Sequence, residues 1–302
     1  MNSLHKIYVP PIKIQGIKTK LVKWILEQVD FSTDGKWVEP FMGSGVVGFN
    51  FRPKKALFAD INPHIINFYN AIKKGDITSQ RARIFLTEEG KKLFTRGEKY
   101  YYYVRDRFND EHEPLDFLFL NRACFNGLVR FNKQFKFNTP FGHKINRFSK
   151  SYITKIVNQI KYVENCLSVY DWNFICQDFR NTIISAKPDD FIYCDPPYIK
   201  RHTDYFNSWS EKDEVDLYNL LKNFKGKFIL STWHSNKYRE NEFLTRLWKN
   251  FNILTKKHFY HIGAKELNRN SMLEALVMNY SPKIIMHNKS TETKMKSLFE
   301  FA

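Results

Sequence analysis

"WVEPFMGSGVVGF", residues 37–49, decides the fold. Trp37 and Val38 read as a short strand that runs into Glu39 and Pro40, and Val46 to Phe49 open a helix. Between them Gly43, Ser44 and Gly45 let the backbone come close to a ligand. The unit is of the nucleotide-binding type, yet it is neither a GxxxxGK[ST] phosphate cradle nor a full GxGxxG, so by itself it names no ligand. The next run, "ALFADIN" at 56–62, ends a second strand on Asp60, about twenty residues after the loop begins. In this architecture an acid there accepts hydrogen bonds from ribose hydroxyls; it reads equally as the cap of a helix over "NPHIINFYNAI".

Outward from this unit the same alternation recurs. "DDFIYCDPPY" and "KGKFILSTW" read as strands, whereas "KLVKWILEQV" (20–29) and "EVDLYNLLKNF" (214–224) carry apolar residues at helical spacing. That pattern predicts an α/β fold with a parallel, Rossmann-like sheet and ligands beyond the carboxyl ends of its strands. The strand of "FIYCDPPY" has to stop at Asp195, because Pro196 and Pro197 donate no backbone N–H. A proline also drives its predecessor into an extended conformation, so the turn presents Asp195 and Tyr198 at the sheet's edge. From about residue 67 to 164 the chain reads differently, mostly helical ("LDFLFLNRACF") and then loop-like ("NKQFKFNTPFGHKINRF"). It is expected to be a second domain inserted into an α/β domain made of 1–66 and 165–302. The last residues, about 287–302, are polar and expected to fray.

Composition limits the partner. With 48 Lys and Arg against 31 Asp and Glu, the 302-residue chain carries a formal charge of +17, which favours a polyanion. Nine cations (Arg122, Arg130, Lys133, Lys136, Lys144, Arg147, Lys150, Lys155, Lys161) and no acid lie between Arg122 and Val163. Phe125, Phe131, Phe135, Phe137, Phe141 and Phe148 are interleaved with them, a pattern that fits nucleic acid as well as a solvated basic face. The four cysteines show no zinc spacing and are expected to be reduced thiols. Neither a membrane span nor the apolar core of a signal peptide is present in the sequence, so a cytoplasmic protein is expected.

Without a phosphate cradle, the expected ligand is an adenosine compound lacking pyrophosphate, which points to S-adenosylmethionine. The ordered set "IKIQGIKTKL", "EPFMGSG", "LFADIN", "LNRACFNGLVRFN", "FNTPFG", "CQDF", "YCDPPY" and "EALVMN" resembles the Dam-type (alpha-group, DPPY) adenine-N6 DNA methyltransferases. Within that family it is most similar to the EcoRV-type modification methyltransferases of type II restriction systems. The match runs from Val9 to about Asn279.

The resemblance implies a Rossmann-like methyltransferase sheet with an inserted, mostly helical target-recognition domain containing a β-hairpin loop. It implies transfer of a methyl group to N6 of an adenine flipped out of the duplex, at roughly a few kcal/mol for unstacking. Asp195 and the Pro196 carbonyl accept the two amino hydrogens, Pro197 stiffens the turn, and Tyr198 stacks on the ring; no metal is expected. The cofactor's carboxylate falls near Lys18, its ribose at Asp60, and its adenosyl part along Glu39, Pro40, Phe41, Gly43, Ser44 and Gly45. Asp178 and Phe179 approach its adenine, with Asp195 at the reacting end. Where many relatives have KWxGGK, this chain has "KIQGIK", so Ile14 and Ile17 offer no ring to stack there.

For double-stranded DNA, the resemblance makes Arg130 the reader of a guanine edge, though a phosphate contact suits an arginine equally. Leu128 and Pro140 touch a thymine methyl, Phe125 and Asn126 fill the gap left by the flipped base, and Lys13 serves the first base pair. Asn132 and Asn138 complete the recognition hairpin. The loop "RHTDYFNSW" (201–209) either closes over the base or packs as a surface loop around Trp209. The implied target is a short palindrome beginning GAT, with GATATC ahead of GATC. The implied role is that of a monomer that shares its site with an endonuclease without binding it stably. An unpartnered GATC methyltransferase and a non-catalytic DNA-binding relative are the alternatives. A cytosine-C5 enzyme would need a Pro-Cys pair, which is absent, and cytosine-N4 enzymes usually carry serine at position 195.

Overall fold

A computed structural model of the chain describes residues 6–32, 34–132, 134–198, 209–259 and 271–283. Seven strands form one sheet: β1 (Trp37–Glu39), β2 (Lys55–Asp60), β3 (Asp171–Cys176), β4 (Phe191–Cys194), β5 (Lys227–Asn236), β6 (Asn252–Phe259) and β7 (Ser271–Met278). Their order is β3-β2-β1-β4-β5-β7-β6. The first five are mutually parallel, and β7 lies antiparallel between β5 and β6. This is the Rossmann-like sheet expected from the sequence. Strand order reverses between β1 and β4, and the crevice beyond their carboxyl ends is where such sheets bind ligands.

Period-two alternation divides the core between the two faces of the sheet. Trp37, Phe191, Tyr193, Ile229 and Leu276 pack on one side, with Phe58 and Trp172. Val38, Ile192, Cys194, Leu230 and Val277 face the other. Each of the large side chains fully buried here is worth about 1.5–3 kcal/mol. The first face is covered by α1 (Val22–Gln28), α2 (Val46–Phe51) and α3 (Pro63–Lys74). The second is covered by α8 (Phe179–Ile184), α9 (Glu211–Asn223) and α10 (Glu242–Arg246).

Between α3 and β3 the chain forms α4 (Ser79–Arg96), α5 (Glu98–Glu111), α6 (Pro114–Ala123) and α7 (Lys150–Leu167). Thr78 and Ser149 cap α4 and α7 by accepting from the backbone N–H of Arg81 and Tyr152. The expected boundary at residue 67 falls inside α3, and its Ile65, Phe68 and Tyr69 belong to the same apolar cluster as Leu86, Phe117 and Ile156 of the helices beyond. Among the described residues no helix is long and apolar enough to cross a membrane.

Two sequence readings need correction. Phe131, Phe137 and Phe141 are buried, and Phe148 stacks on Phe119 at 4.9 Å, so of the six interleaved aromatics only Phe125 and Phe135 are exposed. The others close the core under the loop rather than wait for bases. Arg122 is likewise internal, donating to the Pro11 carbonyl and to Gln159 Oε1, and so leaves the basic face. The expected fraying tail lies outside the described residues.

Candidate active site

Gly43 and Gly45 both hold positive φ, 50° and 72°, the left-handed region that glycine enters without steric cost. The turn they make carries the chain from β1 into α2, and Gly45 is the residue that precedes the helix. A side chain at Gly43 would meet only Ile14 Cγ2, at 3.9 Å, which leaves a cradle beside the backbone. Asp60, at the end of β2, fixes this cradle: its Oδ2 accepts from Gly43 N at 2.8 Å and its Oδ1 from Asn62 N at 2.9 Å. Burial pushes its carboxyl upward in pKa, against the pull of those N–H groups. The cap of α3 is Asn62, which accepts from His64 N, so Asp60 is left to the turn.

Glu39 is the buried acid at the carboxyl end of β1. Its Oε1 accepts from Trp37 Nε1 at 2.8 Å, and burial pushes its pKa up to about 8. The same oxygen lies 2.6 Å from where a side chain on Gly48 would begin, so that glycine makes room for it under α2. Pro40 and Ser44 are buried beside it, and Phe41 stacks with Phe179 at 5.2 Å between ring centroids. Trp209 packs on both rings, at 5.4 and 5.3 Å, and donates to Glu214 Oε2. Asp178 caps α8 through Arg180 N and pairs with the Arg180 guanidinium, which also binds Asp213 and Asp216 of α9. Residues 201–208 of the expected closing loop lie outside the described residues.

Across the switch point, Asp195 follows β4. Lys18, itself buried, donates to Asp195 Oδ1 at 2.7 Å and stands 5.0 Å from the centroid of the Tyr198 ring. Burial raises the carboxyl pKa of Asp195 most strongly; Lys18 opposes that shift and Glu274 adds to it. The Tyr198 hydroxyl donates to Glu274 Oε2 at 2.9 Å. Asp195 is therefore an acid held by a cation at the mouth of the crevice, with one aromatic ring beside it. Pro196 is buried and Pro197 half-buried. The arrangement offers a hydrogen-bond acceptor and a stacking surface within one turn of chain.

The expected DNA residues gather on a separate loop. Antiparallel bridges Cys124–Phe141 and Phe131–Phe137 make it hairpin-like. Phe125 and Asn126 project from a tight turn, exposed, with Asn126 at φ 53°. Lys13 backs that turn, since a side chain on Gly127 would meet Lys13 Cδ at 2.9 Å, and Lys13 is tied to the loop's base through Asn121. Burial lowers the pKa of the Lys13 amine. Arg130 Nε donates to Asn138 Oδ1 at 2.9 Å, and Asn132 Oδ1 accepts from Gln134 N and Lys136 N to shape the turn. Leu128 is half-buried and Pro140 exposed.

Sequence reasoning missed Glu274, Arg180 and the pairing of Lys18 with Asp195. The one signal for Glu274 was an acid inside the apolar run "SMLEALVM".

Known proteins resemble this chain over most of its length. The family model described as D12 class N6 adenine-specific DNA methyltransferase matches residues 15–262. The DNA adenine methylase of Serratia marcescens is 33% identical over 222 residues, covering 70% of this chain and 76% of that protein. The type II methyltransferase M.MjaIII of Methanocaldococcus jannaschii is 28% identical, covering 90% and 99%. The type II methyltransferase M.FokI of Planomicrobium okeanokoites is 29% identical over 90% of this chain, which spans only 43% of that relative's length.

Proposed function

Because the chain belongs to the D12 class of N6 adenine-specific DNA methyltransferases, we propose that it methylates N6 of a flipped adenine in a short palindrome beginning GAT. GATATC is favoured over GATC, and the role proposed is the modification arm of a type II restriction-modification system. The observation that carries the reading is Asp195, ionisable, paired with Lys18 and followed by Tyr198 at the point where strand order reverses.

Adenine N6 is a poor nucleophile because its lone pair is delocalised into the ring. Asp195 and the Pro196 carbonyl accept its two hydrogens, which draws the nitrogen toward tetrahedral geometry and frees the lone pair to attack. One N6 proton must then leave, and the Asp195 carboxylate is the base at hand. Tyr198 supplies the surface on which the extruded ring rests, and Lys18 holds the carboxylate in its charged form. Such positioning and electrostatics are worth several orders of magnitude in rate.

Family and fold imply S-adenosylmethionine as methyl donor, and the residues present fit it: an open glycine cradle, Asp60 beneath it, and the Phe41–Phe179 ring pair. Ile14, Lys18, Glu39, Pro40, Phe41, Gly43, Ser44, Gly45, Asp60, Asp178 and Phe179 are proposed to hold it. When bound, it supplies a sulfonium-activated methyl group. Residues 67–164 are proposed as the recognition domain for double-stranded DNA. In it Arg130 reads a guanine edge, Leu128 and Pro140 meet a thymine methyl, and Phe125 with Asn126 fills the vacated stack. Lys13 serves the first base pair, and Asn132 and Asn138 hold the hairpin. The protein acts as a monomer that pairs functionally, without stable binding, with a cognate endonuclease.

Labelled methyl transfer from S-adenosylmethionine to duplexes carrying GATATC, GATC and scrambled sites tests this. Label on the GATATC adenine supports the reading, label on every GATC moves it to an unpartnered enzyme, and label on cytosine or on none overturns it.

A further inference from the structure

Glu274 sits in the interior of β7, opposite Trp233 of β5 and Lys256 of β6, and is completely buried. Its chain neighbours Ala275, Leu276 and Val277 are buried and apolar. An acid at such a position is costly unless a hydrogen bond compensates it. One such bond is donated by the Tyr198 hydroxyl at 2.9 Å, 76 positions away in the chain.

The bond meets a mechanical need. Two prolines fix the backbone leading into Tyr198, but the ring hangs on two rotatable side-chain torsions that the prolines do not govern. A donor at the far end of the ring, seated on a rigid central strand, closes the second point of a two-point hold. We propose that Glu274 is a positioning residue that locks the ring of Tyr198 beside Asp195 and so presets the stacking surface for the extruded base. This rests on the reading of Tyr198 as the residue on which that base stacks. Glu274 touches neither the base nor the methyl donor; it acts on the base through the tyrosine, apart from the charge it sets near Asp195.

The test uses the full chain with Glu274→Leu, Glu274→Gln, Tyr198→Phe and the Glu274→Leu/Tyr198→Phe double variant. The bond is read without DNA or activity from the 13Cζ resonance of Tyr198 in tyrosine-labelled protein, assigned by its loss in Tyr198→Phe. That resonance shifts in Glu274→Leu and stays close to the native position in Glu274→Gln, whose amide oxygen still accepts. In methyl transfer, Tyr198→Phe and Glu274→Leu each lower kcat by about tenfold, the double variant falls no further than either, and Glu274→Gln recovers most of the loss. An unmoved resonance, or single losses that multiply in the double variant to about a hundredfold, overturns the proposal. If Glu274→Leu does not fold, Tyr198→Phe decides: a lowered melting temperature, from a buried acid that has lost this donor, together with reduced kcat supports the hold, and native kcat refutes it. A native protein that transfers no methyl group at all refutes the function instead, and the resonance still decides the hold.

Discussion

Lys18 Nζ lies 2.7 Å from Asp195 Oδ1, although 177 positions separate the two residues in the chain. The cation comes from the segment before α1 and the acid from the end of β4, so the pair exists only once the parallel sheet has closed between them.

Lys18→Met removes the cation and leaves burial to act on Asp195 unopposed. The carboxyl pKa, already raised, rises further. Since the acceptor must be ionised, the acidic limb of the kcat profile moves to higher pH. Breaking one side of a buried pair also costs about 3–5 kcal/mol of stability, with the lower end expected for an acid still 22% exposed. A pH-rate profile with an unshifted acidic limb contradicts the pairing.

Glu39 predicts the pH dependence of folding. Near its ordinary value, about 4.5, the unfolded chain begins to lose the proton, whereas the folded chain keeps it up to about 8. Between these values the folded state binds more protons, so raising the pH favours unfolding and stability falls across that window. Glu39→Gln still accepts from Trp37 but has no proton to lose. Denaturant unfolding at pH 5 and pH 8 therefore shows a smaller fall for the variant, and equal falls refute the assignment.

Gly48→Ala places a methyl group 2.5 Å from Phe58 Cε1 and 2.6 Å from Glu39 Oε1. Neither neighbour is at the surface, so overpacking of about 1–3 kcal/mol is expected, read as a lowered denaturation midpoint. An unchanged midpoint shows that α2 moves away from β2 without cost.

Arg130→Ala loses about 1–3 kcal/mol of discrimination at one base pair. A uniform loss across all sequences makes it a phosphate contact. Asn138→Ala, which removes one partner of the Arg130 side chain, shows a weaker form of the same loss.

The basic hollow lined by Lys144, Arg147, Ser149 and Lys155 predicts a salt effect. Replacing Lys144 and Lys155 by Gln lowers the slope of log affinity against log salt by about one for each phosphate no longer neutralised. An unchanged slope places the backbone elsewhere.

The parts of this molecule that were legible in the sequence are those whose residues do local work. The strands of "WVEPF", "ALFAD" and "FIYC" are apolar and run into turns that contain glycine or proline, and α3 and α9 carry capping residues and helical spacing. Three strands were not read. In β3 (Asp171–Cys176) only Trp172 and Phe174 are buried, because it is an edge strand; β6 is the other edge and carries Lys256, Lys257 and His258. In β7 the acid Glu274 interrupts the apolar pattern. The site divided along the same line. Asp195 and Tyr198 stood in one short motif, whereas Lys18, Arg180 and Glu274 take their meaning from partners that only the fold brings near. Local pattern also misled where burial was concerned: Phe131, Phe137 and Phe141 are spaced like a base-stacking series but form the floor of the loop.

The most direct test of the central claim is a map of modified bases in the DNA of a host expressing the native chain or its Asp195→Ala variant, with cofactor binding measured in parallel. N6-methyladenine at one palindromic sequence in the first, none in the second, and cofactor binding preserved in both is the predicted result. Methylated adenine that persists in the Asp195→Ala host, or a native host whose marks fall on cytosine or are absent, contradicts the account.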